Sequence, residues 1–245
     1  MSPDQRPQAA ERLTRLARGS LAVLGRLPWS SNGTYLVRCT DGDDSELAVY
    51  KPADEERTLW DFPSGLWARE VAAFEVADAL GWRIVPETVV REKAPLGKGS
   101  LQRFVDADFS EHFLSLIDDK SHHDALRRIA VFDLLCNNAD RKSGHVIIAN
   151  GPARHIYAID HGLCFHREPK LRTVIWDFAG DPIPAALVSD VAAFAADPAS
   201  TDERLGELLD DGERAALLHR AAALVAEPRY PAPSSEHRDW PWPLV

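Results

Sequence analysis

The 245-residue chain carries 38 acidic against 28 basic side chains, a formal net charge of −10, which opposes binding to nucleic acid and to anionic membrane surfaces. Hydrophobic residues make up 45% of it, enough for a sizeable buried core, yet no apolar run approaches the roughly 20 residues that cross a bilayer. The polar opening MSPDQRPQAAERL lacks the layout of a secretory signal, and Cys39, Cys136 and Cys164 are too scattered for a disulfide framework or a metal knuckle. The expected compartment is the cytoplasm, with no stable membrane anchor.

In chain order, residues 8–18 read as a short leading helix. Residues 20–28 and 34–39 read as strands joined by the polar turn WSSNGT, and LAVYK (47–51) as a third strand after the acidic turn DGDDSE (41–46). LWAREVAAFEVADALG (66–81) sets Leu66, Val71, Phe74, Val76, Ala77 and Leu80 broadly on one side at helical spacing, with Gly81 as a stop. Strand-like TVVRE (88–92) and SLQRFV (100–105) follow. From about residue 110 the texture changes. DALRRIAVFDLLCNNA (124–139) is an amphipathic helix, HVIIAN (145–150) and HIYAID (155–160) are short strands, and the stretch to about residue 227 is helical. The last segment, 228–245, is rich in proline and tryptophan and reads as an extended tail that either binds a partner or packs back on the helices.

This order predicts a β-rich lobe over residues 1–105 and a larger helical lobe over 106–245, with a cleft between them suited to a nucleotide. Several residues fit phosphoryl transfer from ATP, which needs a loop over the phosphates, a cation to hold them, an acidic group at the nucleophile and carboxylates for a metal. Ser30, Ser31, Asn32 and Gly33 can bring backbone N–H groups to phosphate oxygens, though they also suit a plain hairpin turn. Lys51, ending an apolar strand, is a compact charge for phosphates, with Glu70 as its first candidate partner and Glu75 as the second. Asp140, in the loop NNADRKSGHV after a long helix, is placed to orient a hydroxyl, and Asp160, ending the strand IYAID before His161 and Gly162, to hold a metal. Each aspartate alone also suits a turn cap.

Seven segments, SSNGTYLV, AVYKPADEE, REVAAFEVADAL, VPETVV, GSLQRFVDAD, FDLLCNNADR and AIDHGLCF, resemble in order the catalytic core of the phosphatidylinositol 3-/4-kinase-like family, closest to type II phosphatidylinositol 4-kinases and more distantly to HipA-like kinases. The resemblance runs over roughly residues 20–165. It implies an α+β bilobal protein-kinase-like fold, ATP with Mg²⁺ or Mn²⁺, and a hydroxyl acceptor such as an inositol-like polyol, a lipid or a protein serine or threonine. It implies that Lys51 contacts the phosphates and Glu70 holds it. Gln102, Arg103, Phe104 and Val105 form the adenine hinge, Asp140 is the catalytic aspartate and Asp160 the metal ligand. His145 stands where the family usually carries a metal-binding asparagine; imidazole prefers softer ions than magnesium. That departure leaves AMP transfer, or a nucleotide-binding regulatory pseudokinase without turnover, as the alternatives.

Other residues have plainer expectations. Cys136 reads as core, His122, His123 and Asp124 as a polar helix start with Asp124 near the N-cap, and Trp60, Trp67, Trp82 and Trp176 as packing residues.

Overall fold

The computed structural model describes residues 5–28, 30, 32–234 and 239–245. Strands β1 (Ser20–Arg26), β2 (Tyr35–Asp41) and β3 (Asp44–Pro52) form an antiparallel meander. Asp41 pairs with Asp44, so the β2–β3 turn has two central residues, and Gly42 takes the first with φ +62°. The acidic run expected to be a solvated turn is therefore largely strand. It is stabilised by Arg15, which pairs with Asp44 at 3.1 Å and Glu46 at 3.3 Å. β4 (Thr88–Arg91) and β5 (Gly99–Arg103) complete a five-stranded sheet in the order β1-β2-β3-β5-β4. Lys51 pairs with Ser100, beside a tight approach: a Cβ at Gly99 would stand 2.3 Å from the Lys51 carbonyl oxygen.

Helix α1 (Gln5–Arg18) starts before the expected residue 8 and sends Leu16 into a small core with Val37, Cys39, Ala48, Tyr50 and Leu101. Helix α2 (Leu66–Ala79) is buried on more than the one side its sequence suggests, with Ala68, Ala72 and Ala73 inside as well. Small side chains let it lie close against its surroundings. Its first turn is capped by Glu56, whose carboxylate accepts from the N–H groups of Gly65, at 3.0 Å, and of Trp67. Its last turn closes on Gly81 at φ +68°.

The second part begins with a strand the sequence pattern did not disclose, β6 (Ala107–His112), then the short α3 (Phe113–Leu116). Helix α4 (His123–Cys136) starts one residue before Asp124, which therefore sits in the first turn rather than at the N-cap; a carboxylate there still favours the helix dipole. It stops three residues short of the expected end because Asn137 turns left-handed, φ 53°. Strands β7 (Val146–Ala149) and β8 (Ile156–Ala158) join β6 in a three-stranded sheet. Helices α5 (Ala185–Ala195), α6 (Pro198–Leu205) and α7 (Asp211–Ala226) follow, the last separated from the preceding helix by Asp210, which accepts from the Glu213 N–H at 2.8 Å as its cap.

The main core gathers α2, α4, the small sheet and the last helices around Phe132, Ile148, Phe165, Val191 and Leu217. Each fully buried leucine or phenylalanine there contributes about 1.5–3 kcal/mol. Trp82 joins this core, but Trp60 is 96% exposed, contrary to its expected packing role. All three cysteines are free and buried, and burial raises each thiol above its ordinary range. Among the described residues, no helix is long and apolar enough to cross a membrane.

Candidate active site

The five-stranded sheet and α2 on one side, and the segments flanking β7 and β8 on the other, enclose a cleft of about 680 Å³. Lys51, next to last in β3, lines it. Its Nζ donates to Asp160 Oδ1 at 2.9 Å and also to Glu70 Oε1 on α2. The other Glu70 oxygen accepts from the His161 N–H at 3.0 Å. Burial alone would push the Lys51 ammonium down, but the charges of Asp160 and Glu70 outweigh it and hold it above its ordinary value. The two carboxylates sharing that cation diverge. Burial raises Glu70, whereas the Lys51 charge holds Asp160 well below the usual carboxylate range. Glu75, the other candidate, instead pairs with Arg204 at 2.8 Å.

The loop after α4 is built around Arg141, which has no exposed surface. Its Nε donates to Asp133 Oδ1 and Oδ2 at 3.1 and 3.0 Å, and Nη2 to Asp133 Oδ1 at 2.9 Å and His161 Nε2 at 2.8 Å. Nη1 reaches the carbonyls of Ile159 at 2.8 Å and His145 at 3.2 Å. One guanidinium thus fastens the loop carrying Asp140 to the segment carrying Asp160, a task suited to its rigid fork. Asn138 assists, donating to Asp133 at 3.0 Å and accepting from the Asp140 N–H at 2.9 Å. The Asp140 carboxylate faces Lys142 Nζ at 3.2 Å. Burial pushes this carboxyl up to about 6; the Asp160 charge adds to the rise and Lys142 opposes it.

Asp160 lies just past β8 with φ 59°, an uncommon conformation for a side chain-bearing residue. Its Oδ2 stands 3.4 Å from His145 Nε2. His145 Nδ1 lies 2.9 Å from the Asp140 carbonyl and 3.4 Å from the Lys142 nitrogen. The shorter contact assigns the ring proton to Nδ1, donating to the carbonyl and leaving a lone pair on Nε2. Burial lowers His145 to about 4, so the ring is neutral at pH 7. A lone pair and a carboxylate oxygen then face each other, and a divalent cation between them would relieve the repulsion. Among the described residues no group of three His, Cys, Asp or Glu side chains gathers as a metal cage. Two protein donors completed by phosphate oxygens fit an ion carried in with a nucleotide.

Ser30, Asn32, Gly33, Lys51, Glu70, Gln102, Arg103, Phe104, Val105, Asp140, His145 and Asp160 all line this one cleft; Ser31 lies outside the described residues. The turn differs from its expected role in one respect. The Gly33 N–H already donates to the Glu55 carbonyl at 3.1 Å, and the Asn32 side chain accepts from the Arg57 N–H at 3.0 Å. The turn is folded onto the segment after β3 rather than presenting that N–H to the cleft. A Cβ at Gly33 would fall 2.1 Å from a Glu55 carboxylate oxygen, so only glycine allows this approach. At the hinge, the Arg103 and Phe104 N–H groups donate to Glu87 and Leu47 at 2.8 and 3.0 Å, while among the described residues the Val105 N–H finds no backbone partner.

Sequence reasoning missed four of the residues at this cleft. Lys142 had a signal, a second cation two positions after Asp140. Glu56, which caps α2 and lines the cleft, and Pro243 with Val245, which line it from the end of the tail, had none.

No protein-family model matches the chain. The rice phosphatidylinositol 4-kinase gamma 4 is 26% identical over 208 residues, which cover 68% of this chain but only 36% of that protein, so the chain spans about a third of its length. Among solved structures, the Golgi casein kinase superposes with a TM-score of 0.60 at 17% identity, covering 92% of this chain and 76% of that one. Hydra Fam20 superposes at 0.59 with 14% identity, covering 91% and 90%, and the Helicobacter pylori kinase CtkA at 0.54 with 13%, covering 88% and 94%. The fold is kinase-like, and the resemblance read from the sequence stands at the level of a kinase-like set. Protein Rv2133c of Mycobacterium tuberculosis (strain ATCC 25618 / H37Rv) is 41% identical over a 263-residue alignment covering 93% of each chain. The chain belongs to the family of Protein Rv2133c.

Proposed function

We propose that this protein transfers a phosphoryl group from ATP to a hydroxyl acceptor. The observation that carries the reading is the convergence on Lys51: one ammonium shared by Glu70 and Asp160, opposite Asp140 and His145 in a single cleft. Lys51 binds the phosphates, and Val105 offers its N–H to the adenine. Asp160 and His145 would hold a divalent ion, which would neutralise phosphate charge when bound. Asp140, half-buried and with its carboxyl raised to about 6, orients the acceptor hydroxyl and takes its proton. Lys142 adds positive charge beside the transferred group. The acceptor is an inositol-like polyol or lipid headgroup, or a protein serine or threonine. The first follows the rice relative's name and the type II resemblance, the second that of the casein kinase, which was solved with Mn/ADP.

The test is thermal melting with ATP, with and without Mg²⁺ or Mn²⁺, on the wild type and on Asp160→Ala, followed by radiolabelled transfer to phosphatidylinositol vesicles, free inositol and casein. A ligand at one hundred times its Kd stabilises the fold by about 2.7 kcal/mol. Metal-dependent stabilisation that Asp160→Ala abolishes, with transfer that Asp140→Ala abolishes, is the expected result. Nucleotide binding without turnover in the wild type would favour the pseudokinase reading, and no binding would end both.

A further inference from the structure

Residues 239–245 do not trail away from the molecule. The Asp239 carbonyl accepts from the Thr173 N–H at 3.0 Å and from Trp176 Nε1 at 3.3 Å, and the Trp240 ring stands 6.1 Å from that of Trp176. Thr173 itself forms a β-bridge with Arg141. Four residues on, the Leu244 carbonyl accepts from the Ser143 N–H at 2.8 Å, in the loop between Asp140 and His145. Pro243 and Val245 line the same cleft as Asp140 and Lys142, and the residue between them is bonded to Ser143, the neighbour of Lys142.

Two things make this contact unlike core packing. Its hold on the loop is main-chain, so it does not depend on a matched side-chain socket. Its outer side chains are also thinly covered: Trp242 is 76% and Val245 61% exposed, while Pro241 is buried and Leu244 more than half covered. Little apolar area leaves contact with protein when the segment lifts, so little hydrophobic free energy opposes release. The whole cleft encloses about 680 Å³ with the segment in place, within the range of ordinary ligand pockets. The segment meets the cleft at the loop that carries Asp140 and Lys142, through the Ser143–Leu244 hydrogen bond.

Resting on the phosphotransferase reading for its catalytic consequence, we propose that residues 239–245 form a displaceable strap across the acceptor side of the cleft. The strap limits access to Asp140 and Lys142 until it is lifted. Asp239 and Trp240 are the fixed anchor, and Pro243 to Val245 the moving end.

The experiment compares the full chain with one ending at Trp242, which keeps the anchor, after confirming that both melt cooperatively. Lysine labelling with an amine-reactive reagent, read by mass spectrometry, reports access without requiring turnover. Lys142 is expected to label about fivefold faster in the shortened chain, with exposed Lys120 unchanged. Manganese-dependent ATP hydrolysis should rise with the labelling. If shortening disturbs the fold, Pro243→Gly in the full chain serves the same comparison. Equal Lys142 labelling in both chains overturns the strap. Faster labelling with no nucleotide binding in either chain keeps the strap and removes the phosphotransferase reading.

Discussion

Arg69 and Glu213, 144 positions apart, form a buried ion pair that fastens α2 to the first turn of α7. Arg69 also donates to the carbonyls of Cys164 at 3.1 Å, Ser64 at 3.0 Å and Gly65 at 3.1 Å, and lies over the Phe62 ring. The next residue on the helix is Glu70, so the pair that holds α2 also sets where Lys51 finds its partner. Removing one member of such a pair leaves an uncompensated buried charge, at a cost of about 3–5 kcal/mol. Glu213→Ala should lower stability by that amount in urea denaturation and weaken Mn-ATP binding as well. An unchanged midpoint would show that α2 is held by its apolar contacts alone.

Asp140 illustrates stability given up for chemistry. A carboxyl raised from 3.8 to about 6 binds its proton more tightly folded than unfolded. Its contribution is therefore most favourable below the unfolded value and is lost as pH rises through about 6. A shift near two units corresponds to about 3 kcal/mol, reduced somewhat because the side chain is 24% exposed. Asp140→Asn should raise the melting temperature at pH 8 and have much less effect at pH 4, while abolishing phosphoryl transfer. In the wild type, kcat/KM should fall as pH drops below about 6.

His145→Asn replaces an imidazole with an amide oxygen, a harder donor. Electron spin resonance of Mn²⁺ in the nucleotide complex should show affinity weakened about tenfold, with Mg²⁺ affinity little changed. Equal losses for both ions would mean that His145 acts by holding the Asp140 carbonyl rather than by touching the metal.

Gly33→Ala places a methyl against Glu55. Nucleotide affinity should fall about fivefold to tenfold, and stability should fall with it, because Gly33 is buried and the methyl has no room. Glu55→Ala alone loses the carboxylate that accepts from Tyr35 Oη at 2.7 Å, yet in combination it should restore part of the Gly33→Ala defect. Strict additivity in isothermal titration would show that the two residues do not interfere.

The two-lobe order was legible in the sequence, and so was the set of residues that line one cleft. Lys51 ends an apolar strand and Asp160 follows another, and both patterns survive without tertiary information. Strand β6 was not legible, because ADFSEH lacks apolar alternation and is held by pairing with β7, a contact between distant segments. Arg141 is next to Asp140 in sequence, but nothing local announces that its partner is Asp133, eight residues back on α4. Trp60 misled for the opposite reason: a large aromatic side chain suggests burial, and a loop tip can leave it in solvent. The tail's prolines and tryptophans signalled extension but carried no direction, so its return to the loop that carries Asp140 became visible only in three dimensions.

The withdrawal of all three thiols from solvent has a practical use. A maleimide dye should find almost no background on the folded protein. A cysteine placed at Trp60, which faces open water, would then be the one reactive handle. A fluorophore there would report opening and closing near the cleft, molecule by molecule, without any change to the residues that line it.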